Sequence, residues 1–426
     1  MRMLKDSNTN WLGNIPAEWS IGRIGQLYSE RRVKVSDTEY MPLSVTMKGV
    51  VPQLSTAAKT DAHDDRKLVR KGDFAINSRS DRRGSCGISE YDGSVSLINT
   101  ILAPRKSMSP RYYNWLFHTS EFAAEFYKWG HGIVDDLWTT NWNDMKRILV
   151  PVPSLLEQQR IADFLDRKCA DIDNILEKIK ASIEEYKKLK QSIITEAVTK
   201  GVRGTRPMKD SGIEWANSVP SDWEVKRIKW CVDSFSKGNG ITKDEVFVDG
   251  DMPCIRYGEI YSKYGNSFSE CVSATKLDIQ SSPQYVTNGN ILCAATGELV
   301  EEIGKGTVYV GNAPCIAGGD IIIIRHKQNP VFLNYVLNSS YAQAQKSCKK
   351  TKLKVVHISA SDIGDVLIAL PSVEEQQEIA LYLDQKCSEI DSLIASKEKF
   401  ITELESYKKS LIYEYVTGKK EVPAEA

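Results

Sequence analysis

Residues 153–201 read PSLLEQQRIADFLDRKCADIDNILEKIKASIEEYKKLKQSIITEAVTKG, and residues 371–419 read PSVEEQQEIALYLDQKCSEIDSLIASKEKFITELESYKKSLIYEYVTGK. At an offset of 218 residues the two align without a gap. Gln158-Gln159 falls on Gln376-Gln377, Leu165-Asp166 on Leu383-Asp384, Lys168-Cys169 on Lys386-Cys387, and Val198-Thr199 on Val416-Thr417. A repeat this long sets the architecture before any single motif is read. Ser154 with Glu157, and Ser372 with Glu375, have the S-x-x-E spacing of a capping box, so each copy should open a helix there. Apolar residues follow at Ile161, Leu165, Cys169, Ile172, Leu176, Ile179, Ile183, Tyr186, Leu189, Ile193 and Ala197. The second copy repeats them at Ile379, Leu383, Cys387, Ile390, Ile394, Ile401, Leu404, Tyr407, Leu411 and Tyr415, with Lys397 interrupting one position. Steps of three and four make a narrow stripe of coiled-coil type. At 1.5 Å per residue each helix is about 65 Å long. It cannot bury its stripe on itself, and the expected partner is the other copy, packed antiparallel about a pseudo-twofold axis.

The repeat extends beyond the helices. Residues 5–24 (KDSNTNWLGNIPAEWSIGRI) match residues 209–228 (KDSGIEWANSVPSDWEVKRI) at an offset of 204, with Trp11, Pro16, Trp19 and Arg23 on Trp215, Pro220, Trp223 and Arg227. The second globular segment is therefore 14 residues longer, 218 less 204. This gives a globular domain over residues 1–153, a long helix over 154–200, a second globular domain over 201–370, a second long helix over 371–420 and a tail over 421–426. The stretch GVRGTRP, residues 201–207, ends the first helix. Within each domain a glycine turn opens a short apolar strand, in VRKGDFAINSR (69–79) and VTNGNILCAAT (286–296). Further strands are expected at 95–102 and 320–325, one amphipathic helix at 112–127 and at 331–345, and a last strand at 148–152 and 366–370. The fold class is α+β, a mixed sheet with peripheral helices in each domain. Little else matches between the domains, so the scaffold reads as duplicated and the interiors as divergent.

The chain has 426 residues, 41% hydrophobic and 26% charged, with 56 basic and 56 acidic side chains. That composition suits globular domains with their own cores, and the zero net charge leaves any basic surface to local clustering. No apolar run approaches the ~18 residues a membrane span needs, and the first residues, MRMLKDSNTNW, lack the apolar core of a signal peptide. The expected location is the cytoplasm, with no membrane partner. Nine cysteines without a C-x-x-C pair read as isolated thiols.

Catalytic constellations do not emerge. Gly304-Lys305-Gly306-Thr307 lacks the upstream glycine of a phosphate-binding loop, and Asn329-Pro330-Val331-Phe332 lacks the second proline of an amino-methyltransferase motif. The five histidines have no zinc spacing, and Asp64-Asp65 and Asp135-Asp136 read as solvated loop charges. Basic residues do cluster, at Arg79, Arg82 and Arg83 and again at Lys349, Lys350, Lys352 and Lys354, which suits contact with phosphates. Arg256 and Tyr257 add a weaker pair. Trp11, Trp19, Trp215 and Trp223 hold repeat positions and read as packing groups. Trp129, Trp138 and Trp142 have no counterparts, and His131 in the segment Trp129-Gly130-His131-Gly132 is a candidate for a reading surface.

The opening W-x-G-x-I-P-x-x-W (residues 11–19) and the later P-x-P-x-x-x-E-Q-Q-x-I-A-x-x-L (151–165) resemble the specificity subunit of Type I restriction–modification systems. Both recur, the second opening with Ala216-Asn217 in place of the glycine and the second helix motif without the first proline. The resemblance covers essentially the whole chain. It implies that the globular segments are target recognition domains, each reading one half of a split double-stranded DNA sequence. It also implies that the helices dock two methyltransferase subunits, with Glu157, Gln158, Gln159, Glu375, Gln376 and Gln377 as the motif involved, and that restriction subunits join them. The chain itself is then not an enzyme and binds no cofactor; S-adenosylmethionine, ATP and magnesium belong to its partners. A methyltransferase-only complex, a protein-binding helical adaptor, and an enzyme with its own centre are the alternatives.

Overall fold

In a computed structural model the described residues are 2–53, 63–79, 82–105, 108–133, 138–214, 216–348 and 355–423. The chain divides into two compact units, Met1–Lys180 with Glu398–Ala426, and Ala181–Lys397. Two long helices, Leu155–Lys200 and Val373–Val416, each contribute to both units.

In the first unit the start of the central helix lies antiparallel to the end of the C-terminal one. Phe164 meets Tyr415 with ring centroids 4.5 Å apart, and Lys408 reaches both carboxylate oxygens of Asp173 at 2.6 and 2.7 Å. In the second unit the same contact recurs one repeat away, Lys190 reaching both oxygens of Asp391 at 2.7 Å. The stripe runs as the spacing required through Ile161, Leu165, Cys169, Ile172, Leu176 and Ile183, and through Ile379, Leu383, Cys387 and Ile390, all buried. Leu189 and Tyr407 depart from it. They occupy one equivalent position and are about half exposed, at 47% and 54%. The stripe resumes beyond them, with Ala197 and with Leu411 and Tyr415 buried.

The first unit holds a four-stranded antiparallel sheet in the order Tyr28–Glu30, Asn99–Pro104, Phe74–Asn77, Cys86–Ile88. The second holds Val232–Lys237, Ile321–His326, Ile291–Ala294 and Gly306–Tyr309 in the same order and sense, with Ser267–Phe268 added in parallel at the edge. The expectation of divergent interiors is thus corrected: the central sheet is duplicated as well. Difference concentrates in the smaller sheets beside it. The first unit has a hairpin, Leu43–Thr46 with Gly49–Pro52, and a three-stranded sheet. The second has a four-stranded sheet in which Met252–Ile255 and Cys315–Ala317 run parallel.

In each unit the single peripheral helix expected from sequence is two helices. Pro110–Phe117 gives way to Ser120–Lys128, whose N-cap Thr119 accepts from the Phe122 N–H at 3.2 Å. Pro330–Asn338 gives way to Ser340–Ser347 through Ser339 in the same role. A hydroxyl N-cap favours a fresh helix start over continuation. The strand expected at 95–102 is also two, Gly93–Val95 and Asn99–Pro104, parted by a turn closed by the Asn99 N–H on the Ser96 carbonyl.

Candidate nucleic-acid interface

A polar latch attaches each globular segment to its helix. Ser154 and Ser372 accept from the Glu157 and Glu375 N–H groups at 3.3 and 3.4 Å, so half of each capping box forms. The carboxylates do not return to the cap. Glu157 takes the Trp19 indole N–H at 2.8 Å and Arg2 at 2.6 Å, while Glu375 takes Trp223 at 3.1 Å and Arg206 at 2.5 Å. Arg2 and Arg206 also lie over the Trp19 and Trp223 rings, at 5.3 and 5.2 Å. Gln158 and Gln376 bind the Pro153 and Pro371 carbonyls and accept from the Ser109 and Asn329 N–H groups. Gln158, Glu375 and Gln376 are buried. These acids and amides join each globular segment to its long helix. Gln159 and Gln377 remain exposed, the latter accepting from the Asn329 side chain.

The first domain gathers most of its sequence-predicted cationic residues at one place. The chain leaving the strand Phe74–Asn77 reaches Arg79, whose backbone bridges Thr139, and Thr139 bridges His131 on its other side. The Tyr127 hydroxyl donates to the Arg79 carbonyl at 2.6 Å, and the Thr140 N–H to the Ser78 carbonyl at 3.0 Å. Arg83 lies 4.5 Å over the Tyr127 ring. Arg79, Arg82, Arg83 and His131 are all exposed, and the His131 Nε2 stands 3.4 Å from an Asp144 oxygen. Gly130 is required here, because a Cβ would meet the Trp138 indole nitrogen at 2.3 Å. The indole instead donates to the Tyr127 carbonyl at 2.9 Å. Three arginines and a histidine with exposed side chains, from segments about fifty residues apart, form a surface able to bind phosphates and acceptor edges of bases. Thr139 and Tyr127 were missed by sequence reasoning, since nothing in their local pattern signals a long-range bridge.

In the second domain Arg256 is engaged elsewhere. Its guanidinium closes on the buried Glu259 carboxylate at 3.1 Å, which also accepts from the Ser273 hydroxyl and the Arg256 N–H. Arg256 neutralises a buried acid, while Tyr257 beside it is 40% exposed. Lys349, Lys350, Lys352 and Lys354, like Trp215, lie outside the described residues. Among the described residues there is no cluster of acids, cysteines and histidines fit to hold a metal, and no helix long and apolar enough to cross a membrane.

Residues 220–406 match the family model of the Type I restriction modification DNA specificity domain. The chain is 26% identical over 422 residues to the MjaVIII Type I restriction enzyme specificity subunit of Methanocaldococcus jannaschii, spanning 95% of this chain and 93% of that one. The second half of the chain thus matches that specificity domain, and nearly the whole chain is similar to a curated Type I specificity subunit. The EcoBI specificity subunit of Escherichia coli is 25% identical over 263 residues, covering 58% of this chain and 52% of that subunit. In fold, the chain resembles the HsdS subunit from Thermoanaerobacter tengcongensis, with a TM-score of 0.54 at 17% identity over 97% of this chain and all of that one. A chain from a structure on complex assembly and conformational transition of the type I R-M system gives 0.72 at 17% identity, covering 95% and 99%.

Proposed function

We propose that this chain reads double-stranded DNA for a Type I restriction–modification complex in the cytoplasm, each globular domain taking one half of an asymmetric split target. The antiparallel helices set the gap between the halves and dock two methyltransferase subunits, one per repeat, with restriction subunits joining the assembly. S-adenosylmethionine, ATP and magnesium are then used by those partners. The observation that carries this reading is the end-to-end match to a specificity subunit by a chain with two globular segments on one duplicated helical frame. The exposed arginines of the first domain support it, because phosphate contacts supply most sequence-independent affinity.

Methylome sequencing of cells carrying the methyltransferase with and without this chain tests the proposal. The expected result is methylation at a split, non-palindromic sequence that vanishes when the chain is absent. Methylation that is unchanged by the chain, together with duplex binding that is indifferent to sequence, would overturn it.

A further inference from the structure

The duplicated sheet places one more feature at matching positions in the two domains. Beyond the strand Phe74–Asn77, Arg79 forms its antiparallel bridge with Thr139; beyond the strand Ile291–Ala294, Thr296 pairs in the same sense with His357. Thr296 stands 217 residues after Arg79 and His357 stands 218 after Thr139. The domains share almost no residues here, yet they keep the bridge at the same strand end and put different side chains on it. In the first domain these are a guanidinium and a hydroxyl, with Arg83 and His131 alongside. In the second they are a hydroxyl and an imidazole, Thr296 Oγ1 lying 3.0 Å from His357 Nδ1. His357 is exposed, and with Thr296, Lys237, Asp320 and Ser359 it borders a cavity of about 330 Å³. With Nδ1 engaged by the threonine, Nε2 is the ring nitrogen left to make a further contact.

We propose that this bridge is the base-reading element of both domains, Arg79 beside Thr139 in the first and His357 held by Thr296 in the second. The inference rests on the DNA-reading role proposed above and adds which residues make the two half-sites differ. An arginine at the bridge offers two parallel donors, which match the O6 and N7 acceptors of guanine in the major groove. An imidazole with one nitrogen already held offers a single contact. The first half-site should therefore contain a guanine read strongly by Arg79. The second should contain one base pair read more weakly by His357.

The test uses the complex of this chain with its methyltransferase subunits, bound to duplexes in which each base pair of the target is varied in turn. Arg79→Ala should cost about 5- to 150-fold in discrimination at one base pair of the first half-site and leave the second unchanged. His357→Ala should relax one base pair of the second half-site, toward the lower end of that range, and leave the first unchanged. Thr296→Val keeps the shape of a buried side chain while releasing the imidazole. It should relax the same base pair as His357→Ala, which a purely structural threonine would not do. Uniform weakening on every duplex with a flatter salt dependence would make these phosphate contacts and overturn the assignment. Unaltered preferences, or relaxation in the opposite half-site, would overturn it as well. A wild-type complex that prefers no sequence would instead defeat the DNA-reading role itself, so the two failures are distinguishable.

Discussion

Glu157 and Glu375 occupy the same repeat position and bind the same pair of groups, yet their burial separates their energetics. The Glu375 side chain is 2% exposed and that of Glu157 is 25% exposed. Removing the cation from a buried pair leaves an uncompensated charge and costs about 3–5 kcal/mol, whereas a partly solvated pair is worth about 1 kcal/mol or less. Arg206→Ala leaves the buried Glu375 only the more distant, half-exposed Arg203 at 3.9 Å, so it should destabilise the chain strongly and Arg2→Ala only slightly, measured by thermal unfolding of each variant against wild type. Equal losses would mean that burial does not set the strength of the latch. Lys346 poses a second problem of burial. It is enclosed, its ammonium donates to the Gly304 carbonyl at 2.8 Å, and burial pushes it down to about 8. An unfolded lysine titrates near 10.4, so between roughly 8 and 10.4 the unfolded chain binds more protons than the folded one. Stability from this group then rises with pH across that window, by something on the order of 3 kcal/mol. Denaturant unfolding at pH 8 and pH 10 should show the rise in wild type and a flatter profile in Lys346→Met. The same rise in both would place its origin elsewhere.

Both long helices end on glycines that their neighbours require. Gly201 and Gly418 have φ of +75° and +71°, a region that L side chains rarely adopt. A Cβ on Gly418 would also stand 2.5 Å from Pro16 Cγ and 2.8 Å from the Trp19 ring, both rigid, while one on Gly72 (φ +89°) would meet open space. Gly72→Ala should cost about 1 kcal/mol of backbone strain, and Gly418→Ala clearly more because the ring atoms cannot retreat. Comparing their unfolding midpoints checks this, and equal costs would show that the helix end relaxes freely. The glycine, the serine start and the apolar stripe of each helix were legible because they are local and periodic. The two-helix break was legible in principle, in Thr119 and Ser339, but a hydroxyl within an amphipathic run is easily passed over. The duplicated sheet was not legible. Its strands are short buried runs in which any apolar residue serves, so pattern survives while identity is lost. The inward turn of Glu375 and Gln376 was hidden for a different reason: a polar pair on a helix start is read as surface until its long-range partners are known.

At the scale of the whole chain, the repeat was visible as sequence while the pairing of Arg79 with Thr139 was not, because bridges between distant loops leave no periodic trace. The proposed role gives the helices a measurable task, holding two half-site readers at a fixed separation. Both helices pass from one unit to the other, the central one at Lys180–Ala181 and the C-terminal one at Lys397–Glu398. Lengthening only one of them would disturb the pairing of Lys408 with Asp173 or of Lys190 with Asp391. Seven residues added at both junctions keep the heptad phase, so the seam and each unit's packing are preserved. Seven residues rise about 10 Å along a helix, and a base pair rises about 3.4 Å along B-form DNA. The unread gap of the target should therefore grow by about 3 bp, with both half-sites unchanged, in a methylome from the lengthened chain. Replacing residues 205–368 with the corresponding domain of a relative should do the opposite, changing one half-site while the other half and the gap persist. The two variants separate spacing from reading. A gap that follows the exchanged domain, or that ignores the added heptads, would remove the helices from that task and place the spacing within the recognition domains.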